Sequence, residues 1–309
     1  MQTMKAAVLR GPNDIVLEDV PVPQIGPNDA LIKVQFCGIC GSDIHSFTTG
    51  MFVKPGQIMG HEFSGEIAEV GDAVAGLQRG DRVTGFSAGV CGTCDACQRA
   101  EPLLCAELFN NSTGYGLPGA FAEYVKIERA VVGESVHKLS DAMNSIQGAM
   151  VEPVSIGVSA VAQAKVSHGD RVVVLGAGMI GNACLQAAKA AGAAEVIVVE
   201  VSDTRLRLAA DCGADDVFDA RTGDALRWVM DKFGEAPYHY HIGGNADVVL
   251  EAAGHSTTIQ QAFEMVRPGG RICFVGLPEG EVLVDTTKIV HKMPYIVGSL
   301  GGDFLAAID

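Results

Sequence analysis

The rhythm of apolar and polar positions changes partway along this chain. Over the first 150 residues the apolar positions fall in short β-branched runs, such as Ala30-Leu31-Ile32-Lys33-Val34, Gly65-Glu66-Ile67-Ala68-Glu69-Val70 and Arg82-Val83-Thr84, separated by Gly, Pro and Asp. Runs of this kind between turn formers predict strands, and their number predicts a compact, barrel-like β domain. From about Ser155 alanine-rich helical stretches alternate with continuous apolar runs at 171–175, 195–199, 247–250 and 271–275. Strands that are apolar on both faces and alternate with helices predict a parallel, doubly wound sheet.

The fold class expected is therefore α/β, with two domains: a β-barrel domain over residues 1–154 and a doubly wound parallel-sheet domain over 155–290. A length of 309 residues agrees with that division, because single cores rarely grow so large. One segment does not fit the alternation. Pro237 to Asn245 is a polar insertion ahead of the run at Asp247, and it reads first as an exposed loop. Its His239 and His241 alternate as they would on one side of a strand, where they can offer two metal ligands.

Composition and charge narrow the function classes. The 37 acidic residues outweigh 22 basic ones, for a formal net charge of -15, which disfavours nucleic acid or an acidic membrane surface as partner. The charge-free stretch 172–188 nears membrane-span length, but Gly176, Gly178, Gly181 and Asn182 break it into strand, turn and helix. No basic start leads into an apolar signal core, so a cytoplasmic address is expected. In that setting the 9 cysteines are not expected to form a disulfide framework.

The strongest local motif is Cys91-Gly92-Thr93-Cys94-Asp95-Ala96-Cys97 followed by Cys105, a C-x2-C-x2-C-x7-C pattern in a lobe at about 90–106. Four thiolates at this spacing can close a tetrahedron around zinc with no open position, which makes the expected site structural. Free thiols or an iron–sulfur cluster are the competing readings. A dispersed set, Cys40, His61-Glu62 and Glu152, can supply a thiolate, an imidazole and carboxylates to a second zinc with a position left for substrate.

A third signal is Val172-Val173-Val174-Leu175-Gly176-Ala177-Gly178-Met179-Ile180-Gly181, a G-x-G-x-x-G that follows an apolar run and opens an alanine-rich helix. Gly176 permits the tight turn, Gly178 lets backbone approach a pyrophosphate, and Gly181 allows close packing of helix on strand. Glu200, at the end of the next run, can accept hydrogen bonds from an adenosine ribose and repel a 2'-phosphate, which favours NAD over NADP. Arg205 weakens that preference without reversing it.

Taken in order, Gly38-Ile39-Cys40-Gly41-Ser42-Asp43-Ile44-His45, Gly60-His61-Glu62-Phe63-Ser64-Gly65, Gly80-Asp81-Arg82-Val83, the four-cysteine lobe, Val151-Glu152-Pro153 and the glycine turn resemble the zinc-containing medium-chain dehydrogenase/reductase family, in its sorbitol, butanediol and threonine dehydrogenase-like branch. The resemblance implies a GroES-like catalytic domain, a Rossmann cofactor domain, two zinc ions per chain, one catalytic and one structural, and NAD. It assigns Cys40, rather than Cys37, His61, Glu62 and Glu152 to the catalytic zinc, and Cys91, Cys94, Cys97 and Cys105 to the structural one. By the same resemblance Ser42 contacts the substrate oxygen, His45 relays the proton toward solvent, and Asp43 accepts the other ring proton of His61.

Gly176, Gly178, Met179, Ile180, Gly181, Glu200 and Arg205 match the dinucleotide site, and Val275 and Leu277 match a loop against the nicotinamide. The implied reaction is hydride transfer between NAD and a secondary alcohol or polyol, or its ketone, in a homodimer or homotetramer paired near Tyr295 to Ser299. Residues 291–309 match the start of a return to the catalytic domain that family members continue for several dozen residues. The competing functions are a zinc-independent quinone-reductase-like enzyme of the same fold and a non-enzymatic protein that binds NAD or presents the zinc lobe.

Overall fold

The computed structural model describes residues 2–309, which form two compact units. One runs to Glu152 and includes Ala307–Asp309; the other is Pro153–Ala306. Among the described residues no helix is long and apolar enough to cross a membrane.

The first unit is built from two antiparallel sheets. Strands β1 (Thr3–Gly11), β2 (Asp14–Pro21) and β4 (Gln57–Ile58) form one in the order β2-β1-β4. The other holds β3 (Ala30–Gly38), β5 (Glu62–Val70), β6 (Arg82–Gly85), β7 (Tyr124–Ile127) and β8 (Val136–Lys138) in the order β7-β3-β5-β6-β8. A bridge between Ala6 and Ala122 links them. Alternate residues of the larger sheet, Ala30, Ile32, Phe63, Ile67, Val83, Val125, Ile127 and Val136, close a common core. Helix α1 (Gly41–Thr49) follows β3, α2 (Asp95–Gln98) lies in the cysteine lobe, and α3 (Ser145–Gln163) begins in this unit.

The second unit contains a six-stranded parallel sheet of β9 (Arg171–Leu175), β10 (Glu195–Glu200), β11 (Asp216–Asp219), β14 (Ala246–Glu251), β15 (Val266–Phe274) and β16 (Tyr295–Gly298), in the order β11-β10-β9-β14-β15-β16. Its strands supply two cores by strict alternation. Val172, Val174, Val196, Val198, Val248 and Leu250 face one side with Ala160 and Val161 of α3 and Cys184 and Leu185 of α4 (Met179–Ala190). Val173, Leu175, Ile197, Val199 and Val249 face the other, under α6 (Ala225–Phe233) and α7 (Ser256–Met265). Covering on both faces explains why these strands read as unbroken apolar runs.

The remaining helices are α5 (Asp203–Asp211), α8 (Thr286–Lys292) and α9 (Phe304–Ile308). Strand order reverses between β9 and β14, the position outside whose carboxyl ends such sheets bind ligands. The segment Pro237 to Asn245, expected as loop, lies for the most part in a hairpin of β12 (Glu235–Tyr238) and β13 (His241–Gly244). The hairpin's inward positions Ala236, Tyr238, Gly243 and Gly244 are buried, which gives a segment with polar tips an ordered place. The strand β16 extends the parallel sheet beside β15.

Candidate active site and cofactor turn

The end of β3 and the start of β5 build the first site. Gly38 pairs with Glu62 across these strands, and a Cβ at Gly38 would fall on Glu62 Oε2, so the absence of a side chain at 38 makes room for the carboxylate. Gly60 turns the chain into β5 at a φ of 91°, where a Cβ would also meet the Phe121 ring at 2.6 Å. Cys40 is the N-cap of α1, and Asp43 Oδ2 accepts a hydrogen bond from its backbone N–H at 3.0 Å.

These turns bring Cys40 Sγ, a ring nitrogen of His61 and a carboxylate oxygen of Glu62 within 4.8 Å of one another. Glu152, on α3, stands outside that tight group but repels the charges of Glu62 and Asp43. Burial, aided by those two charges, pushes the Glu152 carboxyl up to about 8. Burial also raises Glu62, lifts Asp43 to about 6 and the Cys40 thiol to about 12, and lowers His61 to about 4. Every one of these shifts disfavours charge in the bare pocket. A divalent cation reverses that preference, and a thiolate, an imidazole and carboxylates are a donor set that suits zinc.

Asp43 Oδ1 lies 3.9 Å from His61 Nδ1, too far for a hydrogen bond, and that buried nitrogen has no hydrogen-bond partner among the described residues. His61 Nε2 faces the Tyr115 hydroxyl at 3.5 Å, and the two rings stack with centroids 4.9 Å apart. Tyr115 Oη and Ser42 Oγ share a hydrogen bond of 2.9 Å. Tyr115 therefore joins Ser42 to His61, a role that no spacing in the sequence signals. His45 is half-buried on α1, one turn beyond Ser42.

In the lobe, Cys91, Cys94, Cys97 and Cys105 place their sulfurs within 4.8 Å of one another. Two separations are 3.9 Å, from Cys91 to Cys97, and 3.6 Å, from Cys94 to Cys97. A tetrahedral ion with Zn–S bonds near 2.3 Å sets its sulfurs about 3.8 Å apart, so the cage fits zinc. Hydrogen bonds from the backbone and hydroxyl of Thr93, and from the backbone of Cys94, draw Cys91 down to about 6 and favour its thiolate.

In the second unit the glycine turn joins β9 to α4. Gly176 has a φ of 92°, and a Cβ on it would meet Ala253 at 2.9 Å. A Cβ on Gly181 would strike the Gly176 carbonyl oxygen, whereas one on Gly178, the N-cap of α4, would meet nothing within 4 Å. The turn is thus closed where it packs and open where an anion would approach the N-terminal amides beside Met179 and Ile180.

Glu200 is buried at the end of β10. Its Oε2 accepts from the Ala177 N–H at 2.8 Å, and its Oε1 from Val201 and Ser202 at 2.7 and 3.0 Å. Arg205 Nη1 lies 4.0 Å from Glu200 Oε2. Val275 and Leu277 follow β15, with Leu277 exposed and its carbonyl against Gly254 beyond β14. Glu251, at the end of β14, was not singled out from sequence; its Oε1 accepts from Ala253, Gly254 and Thr258 and pins that loop.

The alcohol dehydrogenase GroES-like domain family matches residues 26–140, and the zinc-binding dehydrogenase family matches 180–308. Sorbitol dehydrogenase of Bacillus subtilis (strain 168) is 36% identical over 90% of this chain and 76% of its own. A putative zinc-binding dehydrogenase from Sinorhizobium meliloti 1021, solved bound to NADP, superposes with a TM-score of 0.87 at 32% identity, covering 100% of this chain and 88% of that one. The 2R,3R-butanediol dehydrogenase of Bacillus subtilis gives 0.84 at 32% identity, with 99% and 87% covered.

Proposed function

Because the chain belongs to the zinc-containing medium-chain dehydrogenase/reductase family, we propose that it interconverts a secondary alcohol of the polyol class and its ketone, with NAD as its cofactor. The carrying observation is the convergence of Cys40, His61 and Glu62 beside the Ser42–Tyr115 hydrogen bond. Zinc, when bound, supplies Lewis acidity, and the nicotinamide supplies the hydride chemistry.

Cys40, His61, Glu62 and Glu152 would hold the metal. Ser42 takes the proton of the substrate hydroxyl at its Oγ, and His45 passes it on toward solvent. Tyr115 fixes the direction of the Ser42 hydroxyl, and Asp43 holds the Cys40 backbone while its charge faces His61. Cys91, Cys94, Cys97 and Cys105 would hold a second zinc and with it the fold of the lobe.

Gly176, Gly178, Met179, Ile180 and Gly181 receive the pyrophosphate, Glu200 and Arg205 flank the adenosine, and Val275 and Leu277 contact the nicotinamide. The choice of NAD rests on the Glu200 carboxylate, which opposes a 2'-phosphate. The NADP in the Sinorhizobium relative makes that choice one to test. The exposed β16 edge, with Tyr295 and Ile296, supports pairing of subunits in a homodimer or homotetramer.

A panel of sorbitol, xylitol, 2,3-butanediol and threonine, assayed by cofactor absorbance with NAD and with NADP, tests the reading. NAD-linked oxidation of a polyol, lost in Ser42→Ala while both zinc ions remain, is the expected result. A zinc-loaded protein that binds NAD but turns over none of these alcohols overturns the polyol assignment, and higher kcat/KM with NADP overturns the cofactor.

A further inference from the structure

The hairpin of β12 and β13 carries a second group of metal-binding side chains, far in sequence from either cysteine site. Its two-residue turn is His239-Tyr240, closed by the pair Tyr238 and His241. His239 takes a φ of 50°, a left-handed conformation uncommon outside glycine though more accessible to histidine than to most residues. That conformation directs the ring at His291, the penultimate residue of α8.

The Nδ1 atoms of His239 and His291 are 3.1 Å apart, with ring planes at 85°. The His241 ring centroid lies 6.4 Å from that of His291. His239 and His241 are exposed and His291 half-buried, so solvent reaches all three. Asp285, the N-cap of α8, has its carboxyl held low first by hydrogen bonds from Thr287 and also by the nearby charges of Lys288 and His241.

The group has a firm mounting. Lys292, next to His291, is buried and donates hydrogen bonds to the carbonyls of Phe263, Glu264 and Val266 at 2.8, 2.7 and 2.8 Å. Its ammonium lies 4.8 Å from the Tyr238 ring centroid, and its Nζ would stand 2.5 Å from a Cβ at Gly243. One anchored lysine thus fixes the end of α8 against both strands of the hairpin. That anchoring sets the backbone of His291 beside the hairpin turn that carries His239.

We propose that His239, His241 and His291 form a third metal site, which takes a divalent transition ion of the zinc, nickel or copper class. A tetrahedral ion with metal–nitrogen bonds near 2.05 Å places its nitrogen ligands about 3.3 Å apart, close to the separation of His239 and His291. Rotation about the His241 side-chain torsions brings in the third imidazole. Imidazole ligands select against magnesium and calcium, which take oxygen. The ion closes a clamp between the hairpin and α8, and it is independent of the hydride-transfer reaction.

The competing account of the 3.1 Å contact is a hydrogen bond between one protonated and one bare ring nitrogen. Calorimetric titration of Ni2+ into the zinc-loaded protein separates the two. One Ni2+ per chain is expected, with affinity reduced at least tenfold in His239→Asn, a residue that also accepts left-handed backbone, and in His291→Gln. His255→Ala, on a different loop, should bind as the parent does. Far-UV circular dichroism and retention of both zinc ions certify the folding of each variant. No nickel uptake by the parent, or equal uptake by the folded variants, overturns the site in favour of the hydrogen bond.

Discussion

Removing zinc should make the stability of the first unit fall as pH rises, with Glu152 as the main cause. In the bare pocket its carboxyl titrates at about 8, against an ordinary value of 4.5. Between these values the folded chain keeps a proton that the unfolded chain has released, so stability is fully present below about 4.5 and is lost progressively as pH climbs to 8. The gap converts, at 1.36 kcal/mol for each pH unit, to about 5 kcal/mol. Other groups of the unit titrate in the same range with both signs: Asp43 adds to the loss, whereas His61 and, in the cysteine lobe, Cys91 oppose it.

Comparison with Glu152→Gln isolates the single carboxyl, because the amide keeps the shape and cannot ionise. In zinc-stripped protein the stability of the parent relative to this variant should decline by about 5 kcal/mol from pH 4.5 to 8. The sole tryptophan, Trp228, lies in the other unit, so its fluorescence is the wrong probe. Hydrogen exchange of β5 peptides along a urea series reports the correct one. Restored zinc should abolish the decline. A parent whose stability relative to the variant stays constant, or rises, as pH climbs in the stripped protein refutes the electrostatic account of the pocket.

Two further substitutions probe the same unit. Tyr115→Phe preserves the stack on His61 and removes one hydrogen bond to Ser42; a loss of about 1 kcal/mol corresponds to about a fivefold fall in kcat/KM with zinc content unchanged. An unaltered kcat/KM would show that Ser42 is oriented without it. Cys97→Ser should reduce the zinc content from two ions per chain to one and lower the melting temperature of the lobe, since three thiolates leave the tetrahedron open. Metal analysis that still finds two ions would dismiss the four-sulfur cage.

The parts legible in the sequence were those whose chemistry is local. Cys91, Cys94 and Cys97 sit within one short stretch of chain, and the glycine turn sits between one strand and one helix, so spacing alone shows both. Two-sided burial also left its mark, since every β9 residue from Val172 to Leu175 is apolar. Tyr115 escaped because its partner Ser42 is 73 residues away and nothing near the tyrosine in its glycine-rich loop marks it. The hairpin at 235–244 escaped for another reason. Its order comes from Lys292 of α8 and from close contact of Gly244 with Met265, tertiary contacts that a polar sequence with two glycines does not announce.

Glu200 gives cofactor selectivity an unexpected constraint. On the proposed NAD reading, the carboxylate that would oppose a 2'-phosphate also fastens the Ala177 amide, and so sets the shape of the turn before any nucleotide arrives. On that reading, discrimination and preorganisation reside in one side chain. An engineer who replaces Glu200 to admit NADP loosens the phosphate turn for both cofactors. Reversal of preference then requires a compensating substitution that re-anchors Ala177, and a lineage changing cofactor would pass through an intermediate that binds neither well.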